Sequence, residues 1–383
     1  MKRLTVVALA ASFALLPLTA HAGDTITYWG TFFSEPGSTT PVKSPTPITL
    51  PGNVIQVGTS NSTQYALLDN GQVWAWGWGN NGQLGDASTA NSFTTPVQVE
   101  FPAGVVIASL ATDVMPYNAG LAISTNGNAW GWGDGAAGIF CLGKGKTSHY
   151  LTPVELPFTD VTSLAGASAH ASYDAGGTLY SCGTNSVGQL GDGSTAPSDT
   201  PVAVKGLANV GAVSLVASSV DEGALLPDGA FYDWGANGED QIGNGMSGGY
   251  SDVPILVPLP LPATQVVAGG MGVTNGSTLA MLSDGSLWAW GCDNAGQLGD
   301  GRTVNEASPI EFRPPTGVTY TLLAESGVTS YGVTASGAVY SWGQGARGQI
   351  GNGHLTKSLT PVMVVASGVT QISATAQEVT VLP

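Results

Sequence analysis

A short pattern recurs along the whole chain: an apolar run ends in Trp-Gly and is followed by Gly-Gln-Leu-Gly or a close variant. It is plain in four copies, which begin at Val73, Phe231, Leu287 and Val339, and degraded in two, which begin at Ala129 and Leu179. A truncated copy ends at Gly30. The marker positions are 29, 76, 132, 182, 234, 290 and 342, so the mean period is (342 − 29)/6, or about 52 residues. Such a period with strand-like units predicts a propeller or another repeat array.

The first 22 residues read as a secretory signal peptide. Lys2 and Arg3 precede a mostly apolar stretch, and residues 20–22 form an A-x-A cleavage site. The apolar stretch is too short to span a membrane. We therefore expect an exported mature chain, residues 23–383, that forms one repeat domain without membrane insertion and lies in the periplasm or outside the cell.

Each copy reads as four short strands. Turn dipeptides such as Asn70-Gly71 and Gly176-Gly177 separate the second strand from the third and predict type I′ hairpins. The flanking runs are apolar on both faces, as expected of a blade packed between two neighbours. A proline begins the outer strand of most copies, and proline lacks the backbone donor that an interior strand needs. These prolines are Pro96, Pro153, Pro201, Pro254, Pro309 and Pro361.

The two ends of the chain together supply one blade. Residues 369–382 provide its first two strands, and residues 25–50 provide the other two. Closure of this kind hides the sheet edges that an open array would expose. The sequence thus predicts an all-β fold, a seven-bladed β-propeller whose N- and C-terminal strands share one blade.

The repeats resemble those of the RCC1 family. Residues 71–85 nearly spell out that family's motif, and the resemblance covers essentially all of the mature chain. It implies a seven-bladed propeller. The founding member is a nuclear exchange factor for a small GTPase and sits on chromatin. The mature chain, however, has eight Lys and Arg against 26 Asp and Glu, or 8 − 26 = −18. Because polyanion binding draws its affinity from basic side chains, we expect no nucleic-acid partner.

No catalytic motif is evident. His149, His170 and His354 lie in different repeats, and the chain has no H-E-x-x-H, G-x-S-x-G or P-loop sequence. The Gly-Asp-Gly sequences at 191–193 and 299–301 favour turns over calcium loops, since further ligands are missing. We expect no enzymatic activity, no cofactor and no metal site.

The cysteines leave two interpretations open. Cys141 and Cys182 lie in the two deviant copies, and export would allow them to form a disulfide. Alternatively, Cys182 replaces the marker Trp as a small apolar core residue. Cys292 makes the number of cysteines odd.

Residues that differ between copies indicate where a partner would bind. The loops between the first and second strands should emerge on one face of the disc, and they carry aromatic, Met and acidic groups that suit protein recognition. The predicted partner-binding residues, expected to be exposed, are Met115, Tyr117, His170, Asp221, Glu222, Met271 and Tyr331. A second candidate is the insertion around Ile139, Phe140, His149 and Tyr150, whose extra residues could instead fill the outer edge.

These features predict a secreted, acidic and monomeric propeller that binds a protein partner and has no catalysis of its own. Secreted bacterial members of the family include inhibitors of extracellular hydrolases, so inhibition of an extracellular enzyme is a special case. The alternative is a glycan-binding protein or an enzyme that uses the central funnel. Aromatic residues in a common groove would favour glycan binding, whereas convergent acids and histidine with perturbed pKa values would favour an enzyme.

Overall fold

The computed structural model describes residues 24–30, 41–60, 63–111, 115–116, 118–143, 149–167, 169–218, 220–271, 274–375 and 378–383. They contain 28 strands, which form seven antiparallel four-stranded sheets. Within these ranges, no helix is both long and apolar enough to cross a membrane.

Each sheet is one blade, and its strands run from the axis outward in the order given. Blade 1 contains β3 (Val54–Thr59), β4 (Thr63–Leu68), β5 (Val73–Gly77) and β6 (Ser92–Gln98). Blade 2 contains β7 (Ile107–Leu110), β8 (Ala119–Ser124), β9 (Ala129–Asp134) and β10 (His149–Glu155). Blade 3 contains β11 (Val161–Ala167), β12 (His170–Ala175), β13 (Thr178–Gly183) and β14 (Ser198–Ala203).

The remaining blades follow the same plan. Blade 4 contains β15 (Ser214–Ala217), β16 (Asp221–Leu225), β17 (Phe231–Ala236) and β18 (Tyr250–Leu256). Blade 5 contains β19 (Ala263–Met271), β20 (Thr274–Leu282), β21 (Leu287–Gly291) and β22 (Glu306–Phe312). Blade 6 contains β23 (Tyr320–Glu325), β24 (Thr329–Thr334), β25 (Val339–Gly343) and β26 (Ser358–Val365). Blade 7 contains β27 (Gln371–Ala374), β28 (Glu378–Leu382), β1 (Thr25–Gly30) and β2 (Val42–Thr49).

Blade 7 closes the ring as predicted. Its two inner strands come from the C-terminal end of the chain and its two outer strands from the N-terminal part, with Trp29 paired to Val379 across the junction. The all-β, seven-bladed fold predicted from the sequence is thereby confirmed.

The hairpins between second and third strands correct the predicted turn type. In blade 1, Gly71 has a φ of 79°, but Asn70 does not have a positive φ. The Leu68 amide donates to the Gln72 carbonyl, so the turn is one residue longer than a type I′ hairpin. Four other blades share this turn, which needs a single glycine. Only Gly176-Gly177 has two positive φ values, 60° and 80°, and it forms the short two-residue hairpin in blade 3.

Glutamine side chains tie the inner strands of neighbouring blades together. The Gln56 amide donates to the Leu110 carbonyl, and its oxygen accepts from the Leu110 amide at 2.8 Å. Gln265 clamps Leu323 in the same two-way manner. Gln371 bridges blade 7 to blade 1. These clamps hold backbone groups that face the next sheet rather than a strand of their own.

Candidate functional site

The segment between the third and fourth strands of a blade, called the arm below, carries the Gly-Gln-Leu-Gly sequence. Its glutamine closes a tight turn, because the Gln83 side-chain oxygen accepts from the Asn81 amide at 2.8 Å. Gln189, Gln241, Gln297 and Gln349 make the same contact two residues back. In these five arms a side chain of the arm itself therefore closes the turn.

The arm of one blade locks onto the marker Trp of the next. The Trp132 indole donates to the Gln83 carbonyl oxygen at 3.0 Å. A methyl group at the last arm glycine, Gly85, would lie 2.9 Å from the Trp132 ring, so only glycine leaves room for the indole. The same donor contact is made by Trp29, Trp234, Trp290 and Trp342 to the glutamine of the preceding arm.

Between blades 2 and 3 a disulfide takes the place of the glycine–tryptophan contact. Cys141 occupies the last arm glycine position, with a φ of 54°, and Cys182 occupies the marker position. The two are bonded, with Cα atoms 5.6 Å apart. Of the two interpretations left open by the sequence, the disulfide is the one found. Cys292 is buried in blade 5 outside this bond.

The arms and the loops between first and second strands lie on one face of the disc, called the arm face below. Topology requires this, because the third strand of an antiparallel blade ends at the side where the first strand ends. Backbone contacts join the two sets of loops: the Cys292 amide donates to Gly276, and the Gln344 amide donates to Val328. The two candidate patches predicted from the sequence thus belong to the same face.

The expectation that the predicted partner-binding residues are exposed is wrong for every one whose side chain is described. Met115, His170, Asp221, Glu222 and Tyr331 are at most 2% exposed. His170, Asp221, Glu222 and Tyr331 lie in the first half of a second strand, whereas Met115 lies in the loop before β8 and packs against blade 1. The Tyr331 hydroxyl, for example, donates to the Gln349 carbonyl of its own arm at 3.0 Å. Tyr117 and the Met271 side chain lie outside the described part of the chain.

The second candidate patch is also mostly covered. Ile139 and Phe140 are buried, and the Phe140 ring packs edge-on against Tyr150 at a centroid distance of 5.3 Å. The Ile139 carbonyl accepts from the Tyr173 hydroxyl. Of the four residues, His149 is the exposed one. Because Cys141 occupies the last arm glycine position, Ile139 and Phe140 occupy the positions of Gln and Leu in the other arms. The predicted insertion is therefore not found before Cys141, and these two residues pack in the interior.

His170 reaches its burial site through the short hairpin of blade 3. In blade 4, Glu222 lies opposite the marker residue Trp234. The hairpin of blade 3 is one residue shorter, so Ala171, and not His170, lies opposite the marker residue Cys182. His170 is therefore displaced by one position along its strand. A one-residue shift turns a side chain to the opposite face of a strand. His170 therefore points toward blade 4, where its Nε2 lies 2.6 Å from Glu222 Oε2.

Two more carboxyl groups are buried beside this pair in blade 4. Burial raises the pKa of Asp221 to about 7, although its hydrogen bond with the Ser218 hydroxyl and the nearby His170 lower it. Burial, together with the negative charges of Asp221 and Glu222, holds the pKa of Asp233 well above its usual range. Three carboxyls and one imidazole thus share a region closed to solvent.

A fourth buried carboxyl, Glu325, joins blades 5 and 6. Its Oε1 accepts from the Ser277 hydroxyl at 3.0 Å and from the Gly327 amide at 2.8 Å. The Ser330 hydroxyl lies within hydrogen-bond distance of both Glu325 Oε2 and the Gln297 carbonyl. A hydroxyl has one proton to donate and a carbonyl can only accept, so when Ser330 donates to Gln297 the carboxyl must carry a proton. Burial accordingly raises the pKa of Glu325 to about 8.

These histidine, aspartate and glutamate side chains are buried in the interior of the protein. They are closed off between blades, and no group of three or more His, Cys, Asp or Glu in the described residues is arranged to hold a metal ion. The His170–Glu222 pair joins blades 3 and 4, and Glu325 joins blades 5 and 6.

The exposed groups of the arm face were missed by the sequence reasoning. Met246 and Tyr250 in blade 4 and Val304 in blade 5 are 65%, 55% and 57% exposed, respectively. A signal was available, because these apolar residues interrupt arms otherwise rich in Gly, Asn and Ser.

Comparisons with known proteins agree with this architecture. The model for the regulator of chromosome condensation (RCC1) repeat matches residues 70–112, 176–221, 284–327 and 336–382. The human E3 ubiquitin-protein ligase HERC2 is 28% identical over 323 residues, which are 82% of this chain and 6% of the ligase. The ultraviolet-B receptor UVR8 of Arabidopsis thaliana is 27% identical over 303 residues, 78% of this chain and 66% of the receptor. The chain thus spans less than two thirds of either relative.

Solved structures show the same fold. Human WBSCR16 superposes with a TM-score of 0.81 at 17% identity, covering 94% of this chain and 99% of that one. Prp20p of Saccharomyces cerevisiae, described with its binding to Gsp1p and histones, gives 0.78 at 21% identity, covering 95% of this chain and 92% of that one. With its arms, marker residues and closed ring, the chain is a seven-bladed β-propeller that carries RCC1 repeats.

Proposed function

We propose that this chain is an exported, non-catalytic protein that binds a partner protein through its arm face. The observation that carries the proposal is the exposure of Met246 and Val304 on adjoining arms and of Tyr250 at the start of β18. Met and aromatic residues are enriched at protein interfaces, and exposed apolar groups on a rigid scaffold are typical of binding surfaces.

The scaffold under these side chains is fixed by direct contacts between blades 4 and 5. The Gly245 amide donates to the Ala307 carbonyl at 2.7 Å, and the Asn305 side chain donates to Glu239 at the same distance. Side chains on such a seam lose little backbone entropy on binding. Inhibition of an extracellular enzyme would be one outcome of capping a partner in this way.

Export is supported by two independent features. The N-terminal residues have the pattern of a signal peptide. The Cys141–Cys182 disulfide is of a kind that persists in oxidising compartments. Intact-mass measurement of exported protein should give a chain that begins at Gly23, and a product that retains Met1 would contradict export.

The binding test uses the mature protein as bait for culture supernatant, followed by identification of the captured protein and calorimetry with the purified pair. Replacing Met246 and Tyr250 together with Ser should weaken binding by more than about 1 kcal/mol, as for interface anchors. The matched control replaces Val213 and Leu261, exposed apolar residues on the opposite face, with Ser. Equal losses in both variants, or a loss only in the control, would reject the arm face as the binding surface.

A further inference from the structure

The carboxylates of this acidic chain are unevenly distributed around the ring. Residues 326–377 contain none of the 26 Asp and Glu, a stretch of 377 − 326 + 1 = 52 residues. This stretch forms three strands of blade 6, its arm, and the inner strand of blade 7. Glu35, which follows β1 in the sequence, and the side chain of Glu378 lie outside the described part of the structure.

Basic groups collect where the carboxylates are missing. The basic patch, defined as Lys43, Arg347, His354 and Lys357, consists of four exposed side chains. The arm of blade 6 contributes three of them, and β2 of blade 7 contributes Lys43. Three of the eight Lys and Arg of the mature chain therefore lie on one arm and the strand beside it.

Backbone contacts bring these residues together. The Gly353 amide, next to His354, donates to the Lys43 carbonyl at 2.9 Å. Gly348, next to Arg347, lies so close to β2 that a methyl group on it would be 3.3 Å from Lys43 Cα. The contact between the arm of blade 6 and β2 of blade 7 therefore brings the residues of the basic patch together.

Two carboxylates of blade 5, which adjoins blade 6, already pair with an arginine. The arm of blade 5 touches β26, where the Gly301 amide donates to the Leu359 carbonyl. Its Asp300 and Glu306 lie 2.5 Å and 2.9 Å from Arg302 Nη2. Arg302 neutralises one of these two negative charges, which reduces their effect on the basic patch.

We infer that the basic patch binds a short acidic segment of a partner protein, an inference that rests on the protein-binding role proposed above. Complementary charge raises the association rate and orients a partner before close contact. A short segment fits because the remainder of the molecule is strongly negative and repels a long polyanion or a second copy of the chain. The exposed Leu355 within the patch offers an apolar contact beside the charges.

The test measures fluorescence anisotropy of a labelled peptide of ten glutamates at low ionic strength, where exposed charges are weakly screened. Lys43→Glu with Lys357→Glu should weaken binding about tenfold or more. The control, Lys205→Glu with Arg313→Glu, changes the net charge equally at two exposed sites on other blades. It should stay within about threefold of the parent. Thermal melts check that both variants are folded.

Four results would overturn the inference. The two variants could lose binding equally, which would mean that only net charge matters. A DNA duplex of matched charge could bind as tightly as the peptide with the same dependence on Lys43 and Lys357. Sedimentation could reveal self-association that the Lys43 and Lys357 changes abolish, which would make a second copy the occupant. If the peptide does not bind while the captured partner still depends on Met246 and Tyr250, this inference fails and the proposed function stands.

Discussion

At the scale of single residues, the groups that looked most like a binding site are interior groups. His170 and Glu222 differ from their counterparts in other repeats because they form a buried pair between blades 3 and 4. Variation between repeats can arise from a local change in packing as well as from function. In blade 3 the cause is a hairpin shortened by one residue, which turns His170 toward its partner.

His170→Ala should therefore destabilise the protein by about 3 kcal/mol, since removing one member of a buried pair leaves the other charge uncompensated. Urea unfolding gives the free energy. The Glu222→Gln change added to His170→Ala should recover part of the loss. A cost within about 0.5 kcal/mol, as expected for a surface residue, would contradict the buried pair.

Glu325 should make stability depend on pH. Its pKa is raised from 4.5 to about 8 in the folded state, so the folded chain holds a proton that the unfolded chain releases. The stability from this group is complete below pH 4.5 and is lost as the pH rises toward 8. Unfolding free energy measured across this window should fall less steeply for Glu325→Gln. Glu100→Gln, an exposed control, should keep the slope of the parent.

At the scale of elements, the arm determines how blades join. The side chain of the arm glutamine closes the turn, and the backbone carbonyl of the same glutamine accepts a hydrogen bond from the indole of the next marker Trp. The last glycine of the arm leaves room for that indole. Each of these repeats therefore depends on contacts with the neighbouring repeat to complete its packing. The seam between blades 2 and 3 keeps this plan with a covalent bond in place of the ring contact.

Two glycine substitutions separate the contribution of this contact from that of backbone strain. Gly299→Ala and Gly285→Ala both place a methyl group at a positive φ, 76° and 82°. At Gly299 that methyl would also lie 2.7 Å from Trp342 Nε1, whereas at Gly285 it meets nothing within 4 Å. Gly299→Ala should cost roughly 1–3 kcal/mol more in denaturant unfolding, the range for overpacking. Equal losses of unfolding free energy in the two variants would show that the arm moves to make room for the added methyl group.

At the scale of the molecule, closure of the ring makes both chain ends part of one blade. Removal of residues 369–383 deletes β27 and β28 and leaves β1 without its inner neighbour. The truncated protein should melt at least about 10 °C lower or fail to fold, because edge strands lose their partners. A peptide of residues 369–383 added in trans should restore part of the loss. Deletion of Pro383 alone is the control, and an unchanged melt of the long truncation would contradict shared closure.

Much of this protein could be read from its sequence because repeat period, turn dipeptides and edge prolines are local signals. Seven marker positions and two complementary ends determined the number of blades and the closed ring. Local signals say little about which groups a neighbouring blade covers, so the sequence alone predicts exposure for Asp221, Glu222 and Tyr331, which are buried. The choice between a disulfide and an isolated Cys182 likewise depended on the distance between two strands of different repeats.

What the sequence by itself determined is therefore the repeating unit, whose strands and arm turn follow from contacts within about 50 residues. What only the tertiary structure decided is which groups the seams bury and bring together: the burial of His170, the raised pKa of Glu325, and the contact of Lys43 with the arm that carries Arg347. The physical reason is that packing between blades joins residues far apart in the chain. Solvent exclusion and charge balance depend on those contacts.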